Sequence, residues 1–375
     1  MRQLRSCRAS STVRCLALRE THVKLRTTLL SAALGLVALA GPVLAQGNGQ
    51  GGTAAGVNPG PSPTMGAIRS RGQLVCGVAG DVAGLSLPDS KGVMRGIDAD
   101  GCRMVAAAIL GSGDKVRYVP LTTENRFTAL QSGEVDVLIR ETTWTLGREG
   151  NLGLLFAGIN FYDGTGFLVK KSANVNSVKE LDGATVCVQP GTSTELAVAD
   201  YFRSNKLKFT PLNIESVTDI QNAFIAGRCD AYTTDESALG AFRAQQANKT
   251  DYVLLPELIS KEPLGPSVRK GDDKFFDLVR WSFYVPVIAE EKGITQENVT
   301  DLAKSATDPE TRRMLGLEGD MGKALGVGND WAVNIIKSVG NYGEVFDRNL
   351  APLGIPRGIN NLWSKGGLQY APPLR

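Results

Sequence analysis

Two distant stretches of the chain carry the same short device. Phe127-Thr-Ala-Leu-Gln-Ser-Gly133-Glu-Val-Asp136 and Phe224-Ile-Ala-Gly227-Arg-Cys-Asp230 each read as a helix, a glycine stop, then an aspartate feeding an apolar run. Glycine ends a helix cheaply because it enters the left-handed conformation without a Cβ clash. The runs that follow, residues 135–139 and 231–233, have the length and composition of buried strands. Helix, sharp stop and buried strand together form half of a crossover unit in an α/β sheet. Two copies predict two such sheets.

The neighbouring segments complete both units. In the first, a strand over 72–78 precedes a turn-rich loop over 80–91. Gly96-Ile97-Asp98 then leads into a helix over 99–110, with Ile97, Val105, Ala108 and Ile109 apolar at helical spacing. A strand over 116–120 and a helix over 125–131 follow. In the second, a strand covers 184–188, and Pro190-Gly191-Thr192 opens a helix reaching residue 202. A strand over 208–212, a strand-and-loop stretch over 214–217 and a helix over 220–226 precede the last strand. Each lobe is therefore expected to be a mixed, mainly parallel sheet flanked by helices. Asp136 and Asp230 read as structural, bonding backbone at a strand start.

Residues 161–164 and 261–266 read as two connectors. Lobe one would then comprise residues 65–163 plus 264–375, with lobe two, residues 164–263, inserted between. A helix over 273–284 should rejoin lobe one, and a mostly helical tail over 300–375 should close it. Trp331, Ile335, Val339 and Tyr342 fall close to one helical face, the ordinary signal of a core. The length of 375 residues, 42% hydrophobic and 21% charged, is enough for two core-forming units.

Ahead of the folded part, residues 46–64 are rich in Gly, Pro, Ser and Asn and predict a disordered linker. Residues 1–45 read as a cleaved secretory signal peptide. Lys24 and Arg26 precede a short apolar stretch ending Val43-Leu44-Ala45. A membrane anchor fits less well, because the stretch is short and Gly41-Pro42 interrupts it. The leader is long, and translation starting after Met1 fits it. It also distorts the charge balance. Of 41 basic and 38 acidic residues it holds seven and one, so the remainder carries 34 against 37, a net −3 with no basic run. That disfavours nucleic-acid binding.

The only histidine, His22, lies in the leader, so the exported chain has no Ser/His/Asp triad, no Cys/His pair and no His-ligated metal. Neither a metal nor a cofactor is expected. Beyond Cys7 and Cys15 in the leader, Cys76, Cys102, Cys187 and Cys229 remain, an even number in an exported protein. Three pairings are open. The order of elements favours Cys76–Cys102 and Cys187–Cys229, each within one lobe, so that neither would block opening.

Ligands of open α/β sheets bind beyond the carboxyl ends of the strands. There the first lobe offers Arg140, Glu141, Thr142, Thr143, Thr145 and Arg148, and the second Thr233, Thr234 and Asp235. A guanidinium grips a carboxylate through two parallel hydrogen bonds. Gln189-Pro-Gly-Thr-Ser-Thr-Glu195 contributes a helix start with a capping-box pattern at Thr192 and Glu195. Free N–H groups there suit an anion. Arg148 and the Thr192–Thr194 backbone could hold one carboxylate while Asp235 holds an ammonium, which together describe an α-amino acid. Each piece alone has a plainer reading: a solvated loop with Arg148 in a surface ion pair, and a well-capped helix.

With these motifs in place, the chain resembles the extracytoplasmic solute-binding proteins of the polar amino-acid ABC-transporter family, in particular the general L-amino-acid binders. Leu74-Val-Cys-Gly-Val78, Thr142-Thr-Trp-Thr145 with Arg148, Pro190-Gly-Thr-Ser-Thr194 and Tyr232-Thr-Thr-Asp235 carry the resemblance. Asn329-Asp-Trp-Ala-Val-Asn334, Gly340-Asn-Tyr-Gly-Glu344 and Tyr370-Ala-Pro-Pro373 extend it through the tail. The resemblance implies an α/β, two-lobed type II periplasmic-binding-protein-like fold joined by two hinge strands. It implies a monomeric periplasmic protein that closes on an L-amino acid and docks on membrane permease subunits. Arg148 would grip the ligand carboxylate with the Thr143 and Ser193 amides, and Asp235 the α-ammonium. Thr192 and Thr194 would sit close by, and Leu85 and Ser86 would line the side-chain pocket. Glu141 departs from the family pattern, in which Asn is usual. It would either shift preference towards cationic side chains or point away, and pointing away is the expectation. Two rivals share the fold: a periplasmic dehydratase of a cyclic acid, which would need an acid–base group in the cleft, and a chemosensory ligand-binding module.

Overall fold

The computed structural model describes residues 61–375; the leader and residues 46–60 of the expected linker lie outside the described residues. Two five-stranded sheets organise the chain. In the first, Val116–Pro120, Leu74–Val78 and Val137–Leu138 run parallel. Ser267–Arg269 lies antiparallel to both Val137–Leu138 and the edge strand Leu154–Phe156. The second repeats this order with Phe209–Asn213, Ala184–Val188 and Ala231–Asp235 parallel, then Thr165–Lys170 antiparallel, then Tyr252–Leu254. The duplicated device in the sequence is therefore a duplicated topology. In both copies the stop glycine takes a left-handed conformation, φ +82° at Gly133 and +75° at Gly227. Both aspartates do the same work: Asp136 accepts from the Val75 N–H and Asp230 from the Thr185 N–H, each at 2.8 Å. Each ties its strand to the start of the adjacent one.

The second sheet is covered on both faces, as alternating side chains require. Along Thr165–Lys170, Phe167 and Val169 pack with Phe202 on one side, while Leu168 packs with Phe224 and Phe242 on the other. Cys187 and Cys229 join on that second side, and Cys76 of the first sheet joins Cys102 of helix Ile97–Leu110. Both pairs are those favoured by the element order.

A two-stranded ribbon joins the lobes, Phe161–Asp163 antiparallel to Glu262–Leu264. The C-terminal tail reaches it. Asn360 closes a two-bond ring with the Tyr162 backbone at 2.7 and 2.9 Å, and Tyr342 Oη donates to the Asn160 carbonyl at 2.9 Å. Nothing in the residue pattern announces this strap, because it depends on where a long tail returns.

Several boundaries differ from expectation for identifiable reasons. Order begins before residue 65. Ser62 caps helix Pro63–Arg71, and both Ser62 Oγ and the Thr64 N–H donate to Asp272. The run over 135–139 contributes only Val137–Leu138 to the ladder. The strand expected over 231–233 is longer and carries Thr234 and Asp235 within it. The helix expected over 273–284 continues through Pro286 to Glu291, because Val285, Val287, Ile288 and Ala289 bury their side chains against the core. Tertiary packing there outweighs the lost N–H. The apolar face from Trp331 to Tyr342 is not one helix: Trp331–Val339 ends at Gly340, φ +81°, and Tyr342 starts the next, yet all four residues are buried.

Candidate functional site

The carboxyl ends of the parallel strands in both sheets face one narrow interior space. It consists of two adjoining cavities of about 20 Å³ each, room for a water molecule rather than for a metabolite. The first is lined from lobe one by Thr123, Arg126, Arg140, Glu141 and Thr143. Lobe two supplies Gln189, Thr192, Ser193, Thr194, Thr234 and Asp235. The second shares Glu141, Gln189 and Thr234 and is closed by Asp81, Val82 and Ala83 on one side, and by Tyr232, Gln221 and Gln245 on the other.

Helix Ser193–Ser204 brings its N-terminus to the first cavity. Thr192 Oγ1 accepts from the Glu195 N–H at 3.0 Å, as the capping pattern requires. The return bond shifts by one residue: Glu195 accepts from Gly191 N–H, at 2.9 Å, because Gly191 is turned to φ +70°. The first-turn N–H groups of Ser193 and Thr194 consequently remain as the helix's open donors.

Asp235 is 5% exposed at the end of its strand. Burial pushes its carboxyl well above the usual range. Asp163, Glu141 and Glu262 push the same way, against Arg148. Arg148 is also buried, and burial lowers its pKa, while Glu262 and Asp235 are the acids that counter this. Its Nη1 donates to the Thr143 carbonyl at 2.8 Å and its guanidinium lies over the Phe127 ring. Arg148 thus stands behind Thr143, outside the cavity lining. Two guanidiniums that sequence reasoning did not single out for this role, Arg126 and Arg140, do line it. Arg126 is 2% exposed; burial and then the like charges of Arg140 and Arg148 hold its pKa well below normal.

Thr143 and Ser193 meet across the two lobes, their hydroxyls 3.1 Å apart, and both donate to one oxygen of Glu262, at 2.6 and 2.8 Å. A second clasp joins the lobes at the rim. Thr123 gives its N–H and hydroxyl to the two oxygens of Glu215, at 2.7 and 2.6 Å, and stands 3.0 Å from the Pro190 carbonyl oxygen. These contacts hold the lobes shut. Glu262 and Glu215 carry no sequence signal, since a lone glutamate in a connector or loop reads as solvated surface.

Leu85 and Ser86 lie further back. Leu85 is in the lobe-one core, and Ser86 Oγ accepts from the Gly80 N–H at 3.1 Å. They support the loop whose residues Asp81, Val82 and Ala83 form the cavity wall. Gly96 fixes that loop: at φ +125° it lies so close to Leu85 that a Cβ would stand 2.0 Å from the Leu85 carbonyl oxygen.

Glu141 points inward. Its backbone is in the left-handed region, φ +41°, and its N–H donates to Asp98 at 2.8 Å. Its Oε1 is buried with no hydrogen-bond partner. Burial pushes its pKa up to about 8, and that of Asp98, which accepts its N–H, to about 6. Asp163, on the joining ribbon, is pushed by burial to about 7. The floor of the cleft thus gathers carboxyls that gain from a cation or from N–H donors.

The family described as bacterial extracellular solute-binding proteins, family 3, matches residues 74–284. The glutamate/glutamine/aspartate/asparagine-binding protein BztA of Rhodobacter capsulatus is 54% identical over 83% of this chain and 93% of its own length. The general L-amino acid-binding periplasmic protein AapJ of Rhizobium johnstonii is 47% identical over 94% of this chain and 100% of its own. Among solved structures, a periplasmic binding protein of an ABC transporter from Brucella ovis, with glutathione bound, superposes with a TM-score of 0.81. It is 51% identical and covers 84% of this chain and 100% of its own.

Proposed function

The chain belongs to the bacterial extracellular solute-binding proteins, family 3, and from that premise we propose that it captures L-amino acids in the periplasm for a membrane ABC permease. It is a binding protein of the type II two-lobed fold, not an enzyme; relatives such as BztA and AapJ bear the names of amino-acid binders. One observation carries the ligand class. A buried carboxyl, Asp235, lines the same cavity as the open N–H groups of a helix start. An acid that shares a cavity with an anion-seeking helix end is complementary to a zwitterion, with the ammonium at Asp235 and the carboxylate at Ser193 and Thr194.

Arg148 is the charged partner for that carboxylate. Its Nη1 rests on the Thr143 carbonyl, beside the cavity. Thr192 and Thr143 flank the zwitterion, while Leu85 and Ser86 hold the loop beside it. The lobes, residues 65–163 with 264–375 and residues 164–263, swing about the ribbon Phe161–Asp163 and Glu262–Leu264. Hinge closure in periplasmic binding proteins is the general case. Entry requires such opening, because the closed space is too small for an amino acid. The closed monomer then presents one surface made of both lobes to the permease.

A thermal-shift screen of the twenty L-amino acids tests this. A ligand at about 100 times its Kd adds about 2.7 kcal/mol to folding stability, so binders raise Tm by several degrees. No shift with any amino acid, confirmed by calorimetry, overturns the reading. Recovery of chemically altered ligand after incubation would favour the dehydratase alternative.

A further inference from the structure

We propose that Glu141 sets side-chain selectivity: its carboxyl, walled in beside Asp81, favours ligands ending in N–H donors, a carboxamide or a cation, over those ending in a carboxylate. The inference rests on the amino-acid reading above and refines it.

Three observations place Glu141 there. Its left-handed backbone turns the side chain into the interior instead of along the loop. It is a shared wall of both cavities, so a side chain extending from the zwitterion site into the second cavity must pass it. Its Oε1 is buried and has no hydrogen-bond partner. A buried acceptor without a donor costs free energy, and a ligand N–H that reaches it removes that cost. A ligand carboxylate brings another acceptor instead of a donor.

The surroundings have the same bias. Asp81 joins Glu141 in the second cavity, along with Gln221, Gln245 and the Tyr232 hydroxyl, whose pKa burial raises so that it stays neutral. Asp98 on helix Ile97–Leu110, Asp163 on the ribbon and Asp235 from lobe two add acid. Arg140 and Arg126 are the opposing charges: Arg140 Nε donates to the Leu121 carbonyl and Arg126 Nη1 to the Glu141 carbonyl, and the Arg140 charge only partly offsets the effect of burial on the Glu141 carboxyl. No ion pair reaches that carboxyl among the described residues. Burial pushes the Glu141 carboxyl pKa up to about 8. An N–H donor or cation favours the ionised form, so binding should expel a proton at neutral pH.

The test is calorimetry on the folded chain with L-alanine, L-glutamine, L-arginine and L-glutamate, in two buffers of different ionisation enthalpy, for the wild type and Glu141→Gln. Expected for the wild type is at least tenfold tighter binding of glutamine or arginine than of glutamate, with proton release on binding. Glu141→Gln should shrink that preference at least fivefold and reduce the proton release. Arginine bound more tightly than glutamine identifies the cation as the favoured donor; the reverse order identifies the amide. A wild type that prefers glutamate, or a variant that leaves the preference within twofold while still binding alanine, overturns the inference alone. Failure of every amino acid to bind the wild type overturns the amino-acid reading and this inference with it. Glu141→Gln is isosteric and removes an unpaired buried carboxyl, so its Tm should be equal or higher, which separates lost selectivity from misfolding.

Discussion

Closing the lobes is worth only what their contacts supply, and the Thr123–Glu215 clasp isolates one such contact. Replacing Thr123 with Val keeps the shape and removes the hydroxyl that donates to Glu215 at 2.6 Å, while the backbone N–H bond to the other oxygen remains. A hydrogen bond to a charged group contributes about 1.5–3 kcal/mol net. Glu215 is only partly buried, and solvent screening brings the expected loss down to about 1–1.5 kcal/mol. The loss falls on the closed state alone, since in the open state water serves both groups. An equilibrium that couples closure to binding passes this on as weaker affinity, about five- to tenfold at 1.4 kcal/mol per decade. Calorimetry on Thr123→Val with the best ligand gives the affinity, and small-angle X-ray scattering of the free and saturated protein gives the degree of closure. Denaturant unfolding of the ligand-free protein should change by less than about 0.5 kcal/mol if the contact joins lobes rather than building one. An affinity within twofold of wild type, with closure intact, refutes the idea that this clasp helps hold the closed form.

Further outcomes follow from the same geometry. Arg148→Ala and Asp235→Asn should each weaken amino-acid binding by at least about 30-fold, since truncating one side of a buried charge pair costs about 2–5 kcal/mol; unchanged calorimetric affinity in either variant removes that residue from the site. Replacing Cys187 and Cys229 with serine opens a loop with a sequence separation of 42 and should cost about 4 kcal/mol of unfolding free energy. Because the bridge lies within one lobe, ligand affinity at low temperature should survive; a denaturation curve that does not move contradicts this. The raised carboxyls set an unusual pH dependence. Asp98, Asp163 and Glu141 bind protons up to about 6, 7 and 8 when folded, against ordinary values near 4 when unfolded. Between those limits the folded chain holds more protons, so stability falls as pH rises. The ligand-free protein should therefore melt higher at pH 5.5 than at pH 8.5, and calorimetric scans showing the opposite slope would count against a dry, acid-lined cleft. Acids with lowered values, such as Asp89 and Asp272, act below pH 4 and leave that window untouched.

Local chemistry written along the chain was enough for the three parallel strands of each sheet. Stop glycines at 133 and 227, each followed by an aspartate and a buried run, told of two sheets, because helix termination and strand burial depend on neighbours in sequence. The same holds for the strands Val116–Pro120 and Ala184–Val188, whose bounds match the apolar runs, and for the pairing of four cysteines within two lobes. The strands Leu154–Phe156, Thr165–Lys170 and Tyr252–Leu254, which help complete the two sheets, were decided only by folding. Folding alone also decided which side chains face one another over long sequence distances. That Arg148 rests on the Thr143 carbonyl while Arg126 and Arg140 line the cavity depends on side-chain direction, not on spacing. Glu215 and Glu262 become clasps only because the lobes close on them, and Asn360 becomes a strap only because the tail returns to the ribbon. Glu141 shows the division most sharply. Its residue type was visible as a departure from a pattern, but its backbone angle turned it inward, and no periodicity records the sign of φ.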